Sequence, residues 1–114
     1  MNLHPSCIAP RYDGRNFANL PATIQYWLTG QGTPALAPDV LGDYAKQYDV
    51  VCSFFIDSLG WELFQMYAHE NAFFQELEQR GCVNKITSQF PSTTAAHVTC
   101  IHTGLPVGQS GVYE

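Results

Sequence analysis

Basic residues are scarce in this chain. Five Lys and Arg stand against ten Asp and Glu, for a formal net charge of -5. Arg11, Arg15, Lys46, Arg80 and Lys85 are scattered, whereas neutralising a phosphate backbone requires clustered cations. No nucleic-acid groove is expected. No apolar run approaches the length of a membrane span, so no membrane partner is expected either. Met1-Asn-Leu-His-Pro-Ser6 lacks the basic segment and apolar stretch of a secretory signal. Cys7, Cys52, Cys82 and Cys100 form no Cys-x-x-Cys pair. Cys52 and Cys100 lie in apolar runs, where a free thiol usually acts as a small buried hydrophobe. Reduced cysteines and a soluble, cytoplasmic protein are the expectation. Repeats and low-complexity segments are also missing.

The chain does have enough apolar sequence for a core. Its 114 residues are 46% hydrophobic and 13% charged, a balance that excludes a disordered chain and allows one modest core. Residues 1–48 read as an irregular and helical lead-in, with a turn at Tyr12-Asp13-Gly14. Asn19 is a candidate cap for a helix over residues 20–28, with Pro21 in its first turn and Gly30 ending it. A loop over 30–38 precedes one or two helical turns up to Tyr44.

Residues 49–114 read as a βαβα core segment. The near-continuous apolar run over 49–56 is typical of a strand buried on both faces. Helical spacing follows over 60–78, with a break near Asn71 and Gly81 as the stop. Residues 82–89 read as a second strand, and a last helix runs from Thr93 or Thr94 to His102, closed by Gly104. Strand, helix and strand in that order predict a parallel pair. The expected fold class is therefore α/β, a partial parallel sheet with flanking helices. Phe54, Phe55, Phe64, Tyr67, Phe73 and Phe74 are expected in or near the core, and His4 and His69 at the surface.

In such a sheet, ligands bind beyond the carboxyl ends of the strands. Asp57 follows the first run and Pro91-Ser92-Thr93-Thr94 follows the second, so the carboxylate and the hydroxyls should converge. A threonine hydroxyl is a weak nucleophile until a base or cation activates it. A divalent metal on Asp57 could do so and also polarise a phosphoryl oxygen. Backbone N–H groups at the start of the last helix would receive the phosphate. No Lys or Arg occurs from Ile86 onward, which favours metal and amides over an arginine clamp. The bland alternatives are helix caps: Asp57 for the helix after Gly60, and Ser92, Thr93 or Thr94 for the last helix. His97 and His102 are five residues apart and do not share a face as a four-residue metal pair would. His97, nearer the hydroxyls, is the candidate substrate contact. Glu62 reads as a solvated helix carboxylate.

Val50-Val-Cys-Ser-Phe-Phe-Ile-Asp-Ser-Leu-Gly-Trp-Glu62 and Phe90-Pro-Ser-Thr-Thr-Ala-Ala-His-Val-Thr-Cys-Ile-His-Thr-Gly-Leu-Pro106 together resemble the type I phosphodiesterase/nucleotide pyrophosphatase family. Tyr12-Asp-Gly-Arg-Asn-Phe-Ala-Asn-Leu-Pro21 is also similar to bacterial members. The resemblance implies an alkaline-phosphatase-like fold and hydrolysis of phosphate esters or nucleotides with two divalent metals, usually zinc. Asp57 matches a metal-ligating aspartate. Thr94 matches the nucleophile, which becomes a phospho-threonine and also touches the metal. His97 stands where several relatives place an asparagine on the phosphoryl oxygen.

Family members are far longer, with their other Asp and His ligands downstream. The chain thus resembles an N-terminal portion carrying part of one metal site, and is expected to be inactive in isolation. A non-catalytic interaction module or decayed gene fragment is the alternative. A metal-independent esterase using Ser92 or Thr94 ranks last, since no Gly-x-Ser-x-Gly elbow is present. Unpaired sheet edges would leave the isolated chain marginal and self-associating.

Overall fold

A computed structural model describes residues 4–114; the first three residues of the expected lead-in lie outside it. Local punctuation sets the helices. Asn16 starts a single 3-10 turn, Phe17–Asn19, by accepting a hydrogen bond from the Ala18 N–H while the Asn19 side chain accepts from the Asn16 N–H. Asn19 was the expected cap of the next helix, but its side chain serves this reciprocal box instead.

The first helix, α1, spans Leu20–Thr29, with Pro21 in its first turn and Gly30 in the left-handed region at its end. Thr23 is fully buried on it. Its hydroxyl donates to Asn19 O and accepts from the Ala35 and Leu36 N–H groups, fastening the 30–38 loop to the helix. A short α2, Pro38–Leu41, follows.

The expected 60–78 helix is split. α3 covers Trp61–Tyr67, a 3-10 turn covers Ala68–Glu70, and α4 covers Ala72–Arg80. The break falls at Asn71, whose side chain accepts from the Phe73 and Phe74 N–H groups and so starts α4 afresh. α5 spans Thr94–Thr103, capped by Thr93 and closed by Gly104, and α6, Val107–Ser110, was not anticipated.

The α/β expectation is overturned. Helix accounts for 48% of the described residues, and among them there is no strand and no sheet, so the parallel pair does not exist. The closest approach to a ladder is one isolated parallel bridge between Asn16 and Thr87. The Phe17 N–H donates to Thr87 O and the Thr87 N–H to Arg15 O, after which side chains take over. Asn16 Nδ2 bonds Thr87 Oγ1 and Ser88 O, while Asn84 Nδ2 bonds Val40 O.

Residues 50–56 form no regular element and exchange no backbone hydrogen bond with any described residue. A strand needs a neighbour to bond, and this run has none. Its side chains follow suit: Val50 is 74% exposed and Phe54 86%. Phe55, Tyr67 and Phe73, expected near the core, are also exposed, as is Cys52. Cys100 alone of the four cysteines is buried, and burial pushes its thiol pKa up.

The result is a small, flattened helical domain, 40 × 38 × 23 Å. α5 packs on both α1 and α6, so residues of the lead-in and of the 49–114 segment share one core. Leu36, Leu41, Ala96, Cys100 and Val107 are buried apolar residues, as is Ala68 just after α3. No described helix is long and apolar enough to cross a membrane.

Candidate functional site

An open cleft of about 680 Å³ lies between the 55–61 stretch, the 83–88 stretch and the start of α5. Asp57 and Thr94 both line it. The Thr94 hydroxyl donates to the Asp57 carboxylate at 3.3 Å from Oδ1 and 3.2 Å from Oδ2. Two residues 37 apart in sequence therefore meet, although the strands expected to bring them together are absent.

Each side of the pair is positioned differently. Thr94 is the first residue of α5, held by a dense local network. Thr93 Oγ1 accepts from the Ala96 N–H and donates to Tyr113 O. The cap role falls to Thr93, which leaves the Thr94 hydroxyl to Asp57. The Thr94 and Ala95 N–H groups, in the first turn of a ten-residue helix, have no acceptor among the described residues. Such groups, with the positive end of the helix dipole, attract an anion.

Asp57 instead sits at the end of the unpaired run. Its Oδ1 accepts the Ser58 N–H at 2.9 Å, and Ser58 adopts φ 62. A non-glycine residue in the left-handed region carries strain of about 1 kcal/mol or more, of the kind concentrated at functional sites.

His97 lines the cleft but is buried, with its ring edge-on to Phe17 at 4.6 Å. Its Nε2 accepts the Gln89 N–H at 3.2 Å, which places the ring proton on Nδ1, 2.7 Å from Thr93 O. Nε2 thus ties α5 to the 87–90 stretch, while Nδ1 braces the start of α5 itself. His102 is exposed near the far end of α5, and Glu62 is exposed in the first turn of α3. Ser92 lines the cleft without a side-chain hydrogen bond to Asp57.

Sequence reasoning missed three contributors. Lys85 lines the cleft one residue before the stretch without cations. Buried Gln89 accepts the Val107 N–H and its amide reaches Ala96 O, joining α5 to α6. Trp61, four residues after Asp57, lines the wall beside it. Only Trp61 carried a signal, its closeness to Asp57; the roles of the other two depend on contacts remote in sequence.

Oxygen donors such as the Asp57 carboxylate and Thr94 hydroxyl suit a divalent cation. Two donors fall short of the four that enclose structural zinc, and among the described residues no group of three or more His, Cys, Asp or Glu could hold a metal. The pair fits one face of a metal site.

In comparisons with known proteins, the family model described as type I phosphodiesterase / nucleotide pyrophosphatase matches residues 51–114, the stretch that contains both Asp57 and Thr94. No curated protein and no solved structure matched the chain.

Proposed function

The chain belongs to the type I phosphodiesterase/nucleotide pyrophosphatase family, and from that footing we propose that it carries the nucleophile side of a metal-dependent phosphate-ester hydrolase site. The observation behind the reading is the Asp57–Thr94 contact at the start of α5. Thr94 Oγ is the attacking atom. Its proton is directed at the Asp57 carboxylate, which leaves an oxygen lone pair for phosphorus.

Attack forms the Oγ–P bond and breaks the bond from phosphorus to the ester oxygen. That oxygen leaves with the electron pair and takes up the proton that the Thr94 hydroxyl passes to the Asp57 carboxylate. Water then cleaves the phospho-threonine and restores the hydroxyl. The free Thr94 and Ala95 N–H groups receive the phosphoryl oxygens as charge builds. Asp57 and Thr94 would hold a divalent cation, zinc being the family's usual choice, which when bound makes the hydroxyl more acidic and withdraws charge from phosphorus. His97 acts by fixing the helix start rather than by touching substrate.

Two donors support only weak zinc binding by the 114-residue chain, so in place of the inactivity expected from the sequence the reading gives a slow, zinc-dependent turnover. With zinc in excess and bis(4-nitrophenyl) phosphate as substrate, nitrophenol release is expected to require zinc and to vanish in Thr94→Ala. Release that is independent of zinc, or equal in Thr94→Ala, would contradict the reading.

A second reading, a non-catalytic interaction module, is favoured by the exposed apolar run over 50–56. It predicts concentration-dependent self-association and no Thr94-dependent hydrolysis at any zinc concentration.

A further inference from the structure

Four of the five Lys and Arg side chains already have partners. Arg11 and Arg15 share Asp13, Arg15 also reaches Asp39 at 2.7 Å, and Arg80 pairs with Glu76. The Lys46 ammonium lies 5.6 Å from the centre of the Tyr48 ring. Lys85 is the exception, with no ion pair and no ring contact among the described residues.

Lys85 is exposed, yet its backbone is held on both sides. Asn84 before it donates from Nδ2 to Val40 O at 2.9 Å, and Thr87 after it exchanges backbone hydrogen bonds with Arg15 and Phe17. That stretch forms one wall of the cleft that contains Asp57 and Thr94. Of the side chains lining the cleft, only Asp57 and Lys85 are Asp, Glu, Lys or Arg. The Asp57 carboxylate is engaged by the Thr94 hydroxyl and the Ser58 N–H. The ammonium is left to meet whatever anion enters.

A lone cation discriminates by charge. Coulomb attraction is twice as large for a dianion as for a monoanion at the same distance. Phosphate esters differ in this respect. A monoester carries close to two negative charges above about pH 7, because its second pKa is about 6, whereas a diester carries one. Asp57 repels the dianion more strongly than the monoanion, and Lys85 is the one fixed charge in the lining that opposes this. We propose that Lys85 is a specificity residue of the site, selecting the dianions of phosphate monoesters over monoanionic diesters. This rests on the phosphate-ester reading of Asp57 and Thr94. Because the ammonium is exposed, the selection is modest and weakens with salt.

The test measures binding of methyl phosphate and of dimethyl phosphate to the full 114-residue chain by phosphorus NMR. Zinc is held in constant excess at about pH 8, where the monoester is a dianion. The ratio of the two affinities is compared between variants, so that any preference contributed by zinc itself cancels. In Lys85→Gln the ratio should fall about fivefold in favour of the diester, the effect of one extra charge at a distance of roughly 6 Å in a solvated cleft. Lys85→Arg should keep the wild-type ratio. The difference between wild type and Lys85→Gln should shrink as salt rises from about 0.02 to about 0.5 M.

An unchanged ratio in Lys85→Gln, an equal fall in Lys85→Arg, a fall indifferent to salt, or no binding of either ester to the wild type would each overturn the inference. Failure of the underlying reading has a separate signature. Asp57→Asn would then leave both affinities intact or raise them, whatever Lys85→Gln does to the ratio.

Discussion

The two sides of the Asp57–Thr94 contact are built to different standards. Behind Thr94 lies a clasp of buried polar groups: Asn16 to Thr87 and Ser88, Gln89 to Val107 and Ala96, and His97 to Thr93 and Gln89. Asn16, Gln89 and His97 are all buried, and each has its hydrogen bonds satisfied by the chain. Behind Asp57 lies a run with no backbone partner, in which Phe54 is in solvent and only Phe55 meets another ring, Phe17 at 5.6 Å. The nucleophile candidate is thus held by a network that leaves it little freedom. The carboxylate is held by little more than its bond to Ser58 and the Thr94 hydroxyl. Buried polar networks fix geometry because each broken bond strands a desolvated group. Exposed apolar residues fix nothing until something covers them.

The sharpest way to break this contrast is to dissolve the clasp. Asn16→Leu removes the bonds that the fully buried Asn16 side chain makes to Ala18, Thr87 and Ser88 and forces a bulkier apolar group into its place. A loss of about 2–4 kcal/mol is expected, read as a lower urea midpoint. A loss no larger than that of a surface substitution would mean the clasp does not hold the fold.

Thiol labelling compares the regions directly. Cys7, Cys52 and Cys82 are exposed, whereas Cys100 is buried with a raised pKa because burial disfavours the thiolate. Cys52 is expected to react with a disulfide reagent more than about a hundredfold faster than Cys100. Similar rates would show that Cys52 is covered in solution or that the α5 core opens readily.

Phe54→Lys tests what the exposed run does. If copies associate through residues 50–56, sedimentation should show roughly ten- to hundredfold weaker association, because burying one phenyl ring gives roughly 1.5–3 kcal/mol. The urea midpoint should hardly move, since the side chain touches little of the core. Unchanged association would place the self-contact elsewhere.

The smallest effect belongs to the exposed Arg15–Asp39 pair, 2.7 Å apart. The hydrogen bond from Arg15 holds the Asp39 pKa below its ordinary value. A lowered folded pKa means that the contribution is present above about pH 4 and is lost as pH falls through the folded value. Asp39→Asn should therefore lower stability slightly at neutral pH and leave it unchanged below the folded pKa, which flattens the acid limb. A large change at pH 7 would point to a structural role for Asp39.

What was legible in the sequence divides along the same line as the structure. Helix ends were readable because Pro21, Gly30, Asn71, Gly81 and Gly104 act within a few residues of themselves. Sheet pairing was not readable, because an apolar run such as 50–56 states that a strand could form and not that a partner is near. For backbone pairing, the 82–89 stretch finds only Arg15 and Phe17 either side of Asn16, enough for one bridge. The meeting of Asp57 with Thr94 was foreseen from their places after two extended runs, and it survives the loss of the sheet. His97 was foreseen as a donor to substrate, but a histidine's partners depend on the fold around it, here Thr93 O and the Gln89 N–H.

The central claim is that Asp57 and Thr94 form one face of a metal-assisted phosphoryl-transfer site. A zinc titration followed by amide chemical shifts tests it most directly. The account predicts weak binding with shifts centred on Asp57, Ser58, Thr94 and Ala95, all lost in Asp57→Asn. Tight stoichiometric binding, or shifts centred away from these residues and unaffected by Asp57→Asn, would contradict it.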